Sequence, residues 1–390
     1  MDLTQVVQND ESALMEDEPS FIMGKDVERI LAHCVKHKAS DITITTNLPI
    51  FADIYGRLLH VTRRRLTQVE VSEIISGLFK NESGIARLNG GHDLDFAFEM
   101  RPSRDERERF RVNVTAISVE GQTGAQITIR TIPGIPPRIE DLGIEEDILL
   151  NFAPQQGLVL IAGATGSGKS TLLAAGIRNL AENPNANHKI VTYESPIEFV
   201  YDEVNKPSTI IAQTEIGKHL PDFAAGVRNA LRRKPTVILV GEARDAETVG
   251  ECVTASMTGH LTYSTVHANG VAETIRRMVN VFPENEKHAR AIDIISSVKL
   301  IVSQMLLRST DGKRVALREY LVFNERIVDD LIAGGVDKLT VVARQILKRE
   351  GQTFLMDATR KYKAGIIAER EFRRIQALSK GQDRDVEFGL

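Results

Sequence analysis

Gly163-Ala164-Thr165-Gly166-Ser167-Gly168-Lys169-Ser170 fits the pattern G-x-x-x-x-G-K-[ST], and the segments on either side complete it. Gly157-Leu158-Val159-Leu160-Ile161-Ala162 before it is an unbroken apolar run, the pattern of a strand buried on both faces. Ser170-Thr171-Leu172-Leu173-Ala174-Ala175-Gly176-Ile177 after it reads as a helix. A strand, a glycine-rich turn and a helix N-terminus in that order gather backbone N–H groups around an anion. The candidate phosphate contacts are Gly163, Ala164, Thr165, Gly166, Ser167, Gly168, Lys169, Ser170 and Thr171. Lys169 reaches the β- and γ-phosphates, and the Ser170 hydroxyl ligates Mg²⁺. The expected ligand is a nucleoside triphosphate with magnesium.

Working outward, Lys189-Ile190-Val191-Thr192-Tyr193, Val237-Ile238-Leu239-Val240 and Leu261-Thr262-Tyr263-Ser264-Thr265-Val266 also read as buried strands. Helical stretches fall between them at 222–233, 245–257 and 270–281, which predicts a mainly parallel α/β sheet. Three of these strands end in polar groups suited to a triphosphate. Glu242 follows Val240-Gly241, where a carboxylate can hold Mg²⁺, directly or through water, or polarise the attacking water. Glu194 and Glu198 follow Tyr193; Glu198 is a candidate for metal or water and Glu194 for a supporting acceptor. His260 and His267 flank the third strand, seven positions apart and so on opposite faces, which argues against a shared metal. His267, at the C-terminal end, is the better placed to bond a phosphate oxygen.

The first part of the chain has a different character. Ile42–Ile44, Ile50–Tyr55, Leu94–Phe98, Phe110–Val114 and Gln126–Ile129 read as strands, with helices over Phe21–Lys38 and Val69–Leu78. This predicts an α+β unit with an antiparallel sheet. Arg101, Arg104, Arg107, Arg109 and Arg111 crowd one strand start and Arg130 closes the next. Two readings are open for them, a solvated charged hairpin or arginine fingers, with Arg111 and Arg130 the candidates to reach a γ-phosphate. Arg228, Arg232 and Arg233 are rival candidates. Thr131-Ile132-Pro133-Gly134-Ile135-Pro136-Pro137 is a turn-rich connector and marks a domain boundary.

Composition limits the alternatives. The 390 residues are 42% hydrophobic and 26% charged, as in soluble globular proteins. A net charge of −4 supplies no basic field for nucleic acid, so direct DNA binding is not expected. Cys34 and Cys252 form no C-x-x-C pair, which argues against a disulfide framework and a cysteine zinc module. The first 20 residues carry six acidic and no basic side chains, unlike any targeting peptide, and read as a disordered acidic tail. The longest apolar stretch, Ala291–Leu307, contains Asp293 and Lys299 and is too short and charged to span a bilayer, so no transmembrane segment is expected.

Together the segments Gly163–Thr171, Tyr193-Glu194-Ser195-Pro196-Ile197-Glu198-Phe199, Leu239-Val240-Gly241-Glu242-Ala243-Arg244-Asp245 and Gly259–His267 resemble the Walker A, Asp box, Walker B and His box of the secretion-ATPase superfamily, which includes PilT-like retraction motors. Ala39-Ser40-Asp41, Arg109-Phe110-Arg111-Val112-Asn113 and Ser303-Gln304-Met305-Leu306-Leu307 extend the resemblance over residues 25–375. Tyr193–Glu203 and Val227–Pro235 are similar to the DotB/TraJ branch of type IVB secretion and conjugation systems, and Ser195 stands where pilus retraction ATPases carry Asp.

The resemblance implies residues 1–20 as a tail, a PAS-like N-terminal domain over 21–132, a linker over 133–140, and a RecA-like P-loop ATPase domain over 141–390 with extra C-terminal helices. It implies ATP and Mg²⁺ as ligands, a homohexamer with nucleotide between the two domains, and catalytic roles for Glu242, Glu198, His267, Arg111 and Arg130. It also implies a cytoplasmic protein held peripherally at the inner membrane by components of a type IV secretion or conjugation complex, with the helices after about residue 320 as a candidate docking surface. Pilus retraction, a nucleotide-gated assembly platform with little turnover and a DNA translocase are the competing readings, and cargo, which arginines act, and the division of roles between Glu198 and Glu242 stay open.

Overall fold

The structure, a computed structural model, describes residues 11–387 apart from 56, 81–82, 104–105 and 133. The chain divides into two compact units after Gly134, inside the proline-rich connector. Residues 136–142 pack against the second unit, with Ile139 buried and the Pro136 carbonyl accepting from Arg178.

The first unit holds a six-stranded antiparallel sheet of β1 (Asp41–Thr45), β2 (Phe51–Ile54), β3 (Arg57–His60), β4 (Leu94–Met100), β5 (Glu108–Val119) and β6 (Gln122–Ile132), in the order β3-β2-β1-β6-β5-β4. Helices α1 (Val27–Lys36), α2 (Gln68–Phe79) and α3 (Ser83–Asn89) complete it. Alternation decides the faces. Ile42, Ile44, Phe110, Val112, Val114, Ile127 and Ile129 are buried in one core, while Asp41, Arg111 and Arg130 point the other way.

Two expectations change here. The helix read over 21–38 begins as α-helix only at Val27, because Met23 N donates to Asp26 Oδ2 (2.9 Å) and a short 3₁₀ turn, Gly24–Asp26, comes first. Gly24 lies against Gly77, whose Cβ, if it had one, would stand only 2.8 Å from the Gly24 backbone. Of the acidic tail, residues 1–10 lie outside the described residues, but the part from residue 11 to 20 packs rather than remaining disordered. Ala13 and Met15 are buried, Met15 N donates to Val61 O (3.0 Å), and Glu18 accepts from Arg63 N (2.8 Å). Two apolar side chains and one carboxylate thus anchor a segment whose composition is otherwise that of a solvated tail.

The second unit is built on a seven-stranded sheet of β7 (Gly157–Ala162), β8 (Lys189–Glu194), β9 (Ile210–Glu215), β10 (Val237–Val240), β11 (Leu261–Val266), β12 (Val298–Arg308) and β13 (Arg314–Val322). Its order is β13-β12-β7-β11-β10-β8-β9, parallel throughout except for the antiparallel β12–β13 hairpin. Helices α4 (Glu146–Asn151), α5 (Lys169–Glu182), α6 (Phe223–Ala230), α7 (Ala246–Met257), α8 (Val271–Asn280), α9 (Glu284–Ser297), α10 (Glu325–Ala333), α11 (Leu339–Glu350), α12 (Phe354–Lys363) and α13 (Glu369–Glu387) surround it.

Both faces of this sheet are covered. Leu158 and Leu160 join a core with Ile238, Val249 and Ile275, while Val159 and Ile161 join the opposite one with Leu172, Ile177 and Phe152. That double burial is why the strands read as continuous apolar runs. α5 approaches closely enough that a Cβ on Gly176 would overlap the Phe152 ring. The apolar stretch 291–307 resolves into the end of α9 and most of β12, and no described helix is long and apolar enough to cross a membrane.

Candidate active site

A parallel sheet directs every strand's C-terminal end to one edge, and ligands of such sheets bind there. β7 ends in the glycine-rich loop, which is tied to its neighbour where Gly163 N donates to Val266 O (3.2 Å) at the end of β11. After β10, Gly241 N donates to Tyr193 O (2.7 Å) and Ala243 N to Thr265 O (3.1 Å). Glu242 is therefore clamped between the ends of β8 and β11.

The loop itself has the form of a phosphate cradle. Gly163, Gly166 and Gly168 take φ of +148°, +76° and +83°, a backbone that side chains resist. Ala164, Thr165 and Gly166 form an exposed crest, and Ser167 and Lys169 are buried beneath it. The Lys169 ammonium donates to the carbonyls of Gly163 and Ala164, both at 2.9 Å, and so lies folded back into the loop. Ser170 and Thr171, half-buried, open α5.

Four side chains converge electrostatically. Burial lowers the Lys169 pKa, while the carboxylates of Glu242 and Glu198 push it back up. His267 Nε2 stands 3.6 Å from Glu242 Oε1. Burial and the positive charge of Lys169 lower the His267 pKa, opposed by Glu242, and Arg277 lowers it further. The imidazole is therefore neutral at pH 7, able to give one hydrogen bond and accept another. Glu194 is held by the Thr192 hydroxyl (2.6 Å) and Gln213 Nε2 (3.2 Å). His260 lies at the other end of β11 against Ala255 O (3.1 Å), away from His267.

The positive φ of Gly163, Gly166 and Gly168 shapes the loop, the Ser167 hydroxyl is buried with no partner, and the Lys169 ammonium feels two carboxylates there. These are the groups a triphosphate with Mg²⁺ requires. Among the described residues no cluster of three or more His, Cys, Asp or Glu could hold a metal unaided. Mg²⁺ bound through one or two protein ligands plus phosphate oxygens needs no such cluster.

The arginines divide. Arg111 binds Asp95 through Nε (3.1 Å) and Nη2 (2.6 Å), Arg130 Nε binds Asp41 (2.8 Å), and the two arginines sit directly opposite on β5 and β6. Arg107 pairs with Glu99 (2.7 Å), Arg109 lies 3.9 Å and Arg101 3.7 Å from the same carboxylate, and Arg104 is outside the described residues. Arg228 bridges to Glu247 (2.6 Å) and Glu251 (3.3 Å) on α7, and Arg233 bonds the Tyr193 hydroxyl.

The family described as Type II/IV secretion system protein matches residues 16–371. The chain belongs to this family. It is similar to the crystal structure of the Legionella pneumophila ATPase DotB with a TM-score of 0.87 and 48% identity, over 93% of this chain and 98% of that one. The pilus retraction motor PilT with bound ADP superposes at a TM-score of 0.76 and 31% identity, over 88% and 95% of the two chains. The type IV pilus retraction ATPase PilT of Pseudomonas aeruginosa is 35% identical over 297 residues, 76% of this chain and 82% of that protein. This secretion-family chain is thus an ATPase with two α/β units, as the resemblance implied. Behind the loop, Gln304, from the Ser303–Leu307 segment of the resemblance, donates to the Ser167 carbonyl and accepts from Arg318, a residue that no motif singled out, and no local pattern signals their meeting.

Proposed function

We propose that the chain hydrolyses ATP as the homohexameric, cytoplasmic motor of a type IVB secretion or conjugal transfer machine, docked on that machine's inner-membrane components. The observation carrying this is the convergence of Lys169, Glu242, Glu198 and His267 at the strand ends of a chain 48% identical to DotB. We read the first unit as PAS-like and the second as RecA-like.

On this reading Lys169 leaves the Gly163 and Ala164 carbonyls to meet the β- and γ-phosphates, and the loop amides with Thr171 hold the remaining oxygens. Ser170 and Glu242 are the residues that would hold Mg²⁺, whose charge, when bound, offsets that of the phosphates. Glu242 accepts a hydrogen bond from the attacking water and orients it in line with the γ-phosphorus, and Glu198 supports metal or water. Neutral His267 donates to a γ-oxygen. As the new P–O bond forms, the bond from phosphorus to the bridging oxygen breaks, that oxygen leaves with ADP and the water's proton passes to the released phosphate; Arg111 and Arg130 neutralise the charge that develops.

The test joins two measurements. The Glu242→Gln variant should bind ATP normally and lose roughly a hundredfold in turnover, as removal of a positioned acid or base does. Specific activity followed against protein concentration, with light scattering for mass, should collapse as the particle dilutes to monomer. Full activity in either the variant or the monomer sinks the corresponding part. The 35% identity to PilT favours pilus retraction as the second reading of the same chemistry.

A further inference from the structure

The phosphate-binding loop is braced from behind by a side chain outside its motif. Gln304 lies on β12, whose register with β7 pairs Ser303 with Ala162, so Gln304 stands where β7 gives way to the loop. Its Nε2 donates to the Ser167 carbonyl (2.7 Å) and its Oε1 accepts from Arg318 Nε (2.8 Å). Both side chains are almost wholly buried and pair directly across the β12–β13 ladder. The same residue closes the loop's back at two further points. Its own carbonyl fills the space a Cβ on Gly163 would need, and its Nε2 lies 2.8 Å from where a Cβ on Gly168 would stand.

The orientation of the amide follows from chemistry. A guanidinium only donates, so the oxygen of Gln304 must face Arg318 and its nitrogen must face Ser167. A trans peptide is planar, with its C=O and the next N–H pointing opposite ways. Holding the Ser167 carbonyl backward therefore turns the Gly168 N–H forward, to the side where a phosphate would lie.

Arg318 is itself fixed. It donates to Gly143 O (2.9 Å), Leu142 O (3.0 Å) and Glu145 Oε2 (3.1 Å), and its backbone N–H donates to Asp357 Oδ2 (2.9 Å) on α12. Arg360 joins the two acids, at 2.8 Å from Glu145 and 2.6 Å from Asp357. The bonds run without a gap from the C-terminal helices to the phosphate loop.

We propose that Gln304 is a positioning residue for the phosphate-binding loop, oriented by Arg318, and that α12 is tied to the nucleotide site through them. This rests on the ATPase reading above. The discriminating variant is Gln304→Glu in the full chain. It has the same shape and gives Arg318 a stronger partner, but turns a carboxylate oxygen rather than a donor toward the Ser167 carbonyl.

ADP binding, ATP turnover and melting temperature are measured on the variant and wild type. We expect a lowered melting temperature, an ADP Kd and an ATP KM raised about tenfold, the scale of one lost buried hydrogen bond, and kcat within about threefold. A folded variant with Kd and KM within about twofold of wild type overturns the proposal, since a purely structural role moves stability and not affinity. Gln304→Met, of similar volume and with no donor, is read by the same criteria should the first variant not fold. A wild-type chain that binds neither nucleotide removes the ATPase reading and this proposal with it, and that control precedes both variants.

Discussion

Glu70, on α2 of the first unit, and Glu319, on β13 of the second, are both withdrawn from water, yet their carboxyls move in opposite directions. Burial by itself pushes both up. Around Glu70 the Arg64 guanidinium (2.6 Å), the amides of Thr67 and Ile22, and the Thr67 hydroxyl outweigh that push and bring the pKa down to about 2. Around Glu319 burial wins. The amides of Val271 (2.8 Å) and Phe354 and the charge of Arg344 oppose it, the nearby Glu273 adds to it, and the pKa rises to about 7. A buried carboxylate is thus charged or neutral according to the donors it meets rather than its depth.

The two sheets differ in the same way. The antiparallel one spreads ion pairs over a half-exposed face, as with Arg111–Asp95 and Arg130–Asp41. In the seven-stranded one, strands β7, β8, β10 and β11 are covered on both sides and carry charge only at or beyond their ends, where Glu242 and His267 stand.

The largest effect that would sharpen this contrast comes from Lys169→Ala. It removes the only cation that the loop folds inward, and should cost a hundredfold or more in ATP turnover, measured as phosphate release, with the fold kept. An active variant would break the assignment of chemistry to the strand ends.

Next is the double change Arg111→Ala with Arg130→Ala. Exposed pairs of this kind contribute about 0–1 kcal/mol, so melting should hardly shift. If the two neutralise developing charge, turnover falls by roughly a hundredfold, the scale of removing a preorganised donor that stabilises the transition state. Loss of stability without loss of turnover would return them to the role of sheet ion pairs.

Packing comes third. Gly176→Ala sets a methyl group into the Phe152 ring, and overpacking of this sort costs about 1–3 kcal/mol, read as a lowered melting temperature.

The smallest effects carry opposite signs. Glu70 has a folded pKa of about 2 against an ordinary 4.5, so its contribution is full above about pH 4.5 and is lost as pH falls toward 2. Glu319 has a folded pKa of about 7 against 4.5, so its contribution is full below about pH 4.5 and is lost as pH rises through 7. Melting temperature against pH should therefore flatten below about 4.5 in Glu70→Gln and between about 4.5 and 7 in Glu319→Gln. The same slope change in both variants would dissolve the comparison.

Much of the second unit was readable from local pattern. The strands at 157–162, 189–193, 237–240 and 261–266 stand within a residue of their expected limits, because burial on both faces leaves an uninterrupted apolar signature. β9, with Gln213 and Thr214 among half-buried positions at the sheet edge, gave no such signature and was not expected. β12 was seen only as part of an apolar stretch, since periodicity cannot divide a buried helix from the buried strand that follows it. Between β12 and β13 the chain turns at Gly312, which takes a positive φ of +82°.

The sequence alone determined that a phosphate loop joins a buried strand to a helix, and that acids and a histidine end the neighbouring strands. Those statements depend on short spacings, which glycine conformation and strand period govern within a few residues. Tertiary structure alone decided which side chains meet. Glu242 lies beside His267, Arg111 and Arg130 are each held by an aspartate, and Arg318, 173 positions from Glu145, carries the C-terminal helices' charge network to Gln304 behind the loop. Such meetings follow from strand order and register, set by the packing of the whole core, and leave no mark on the residues nearby.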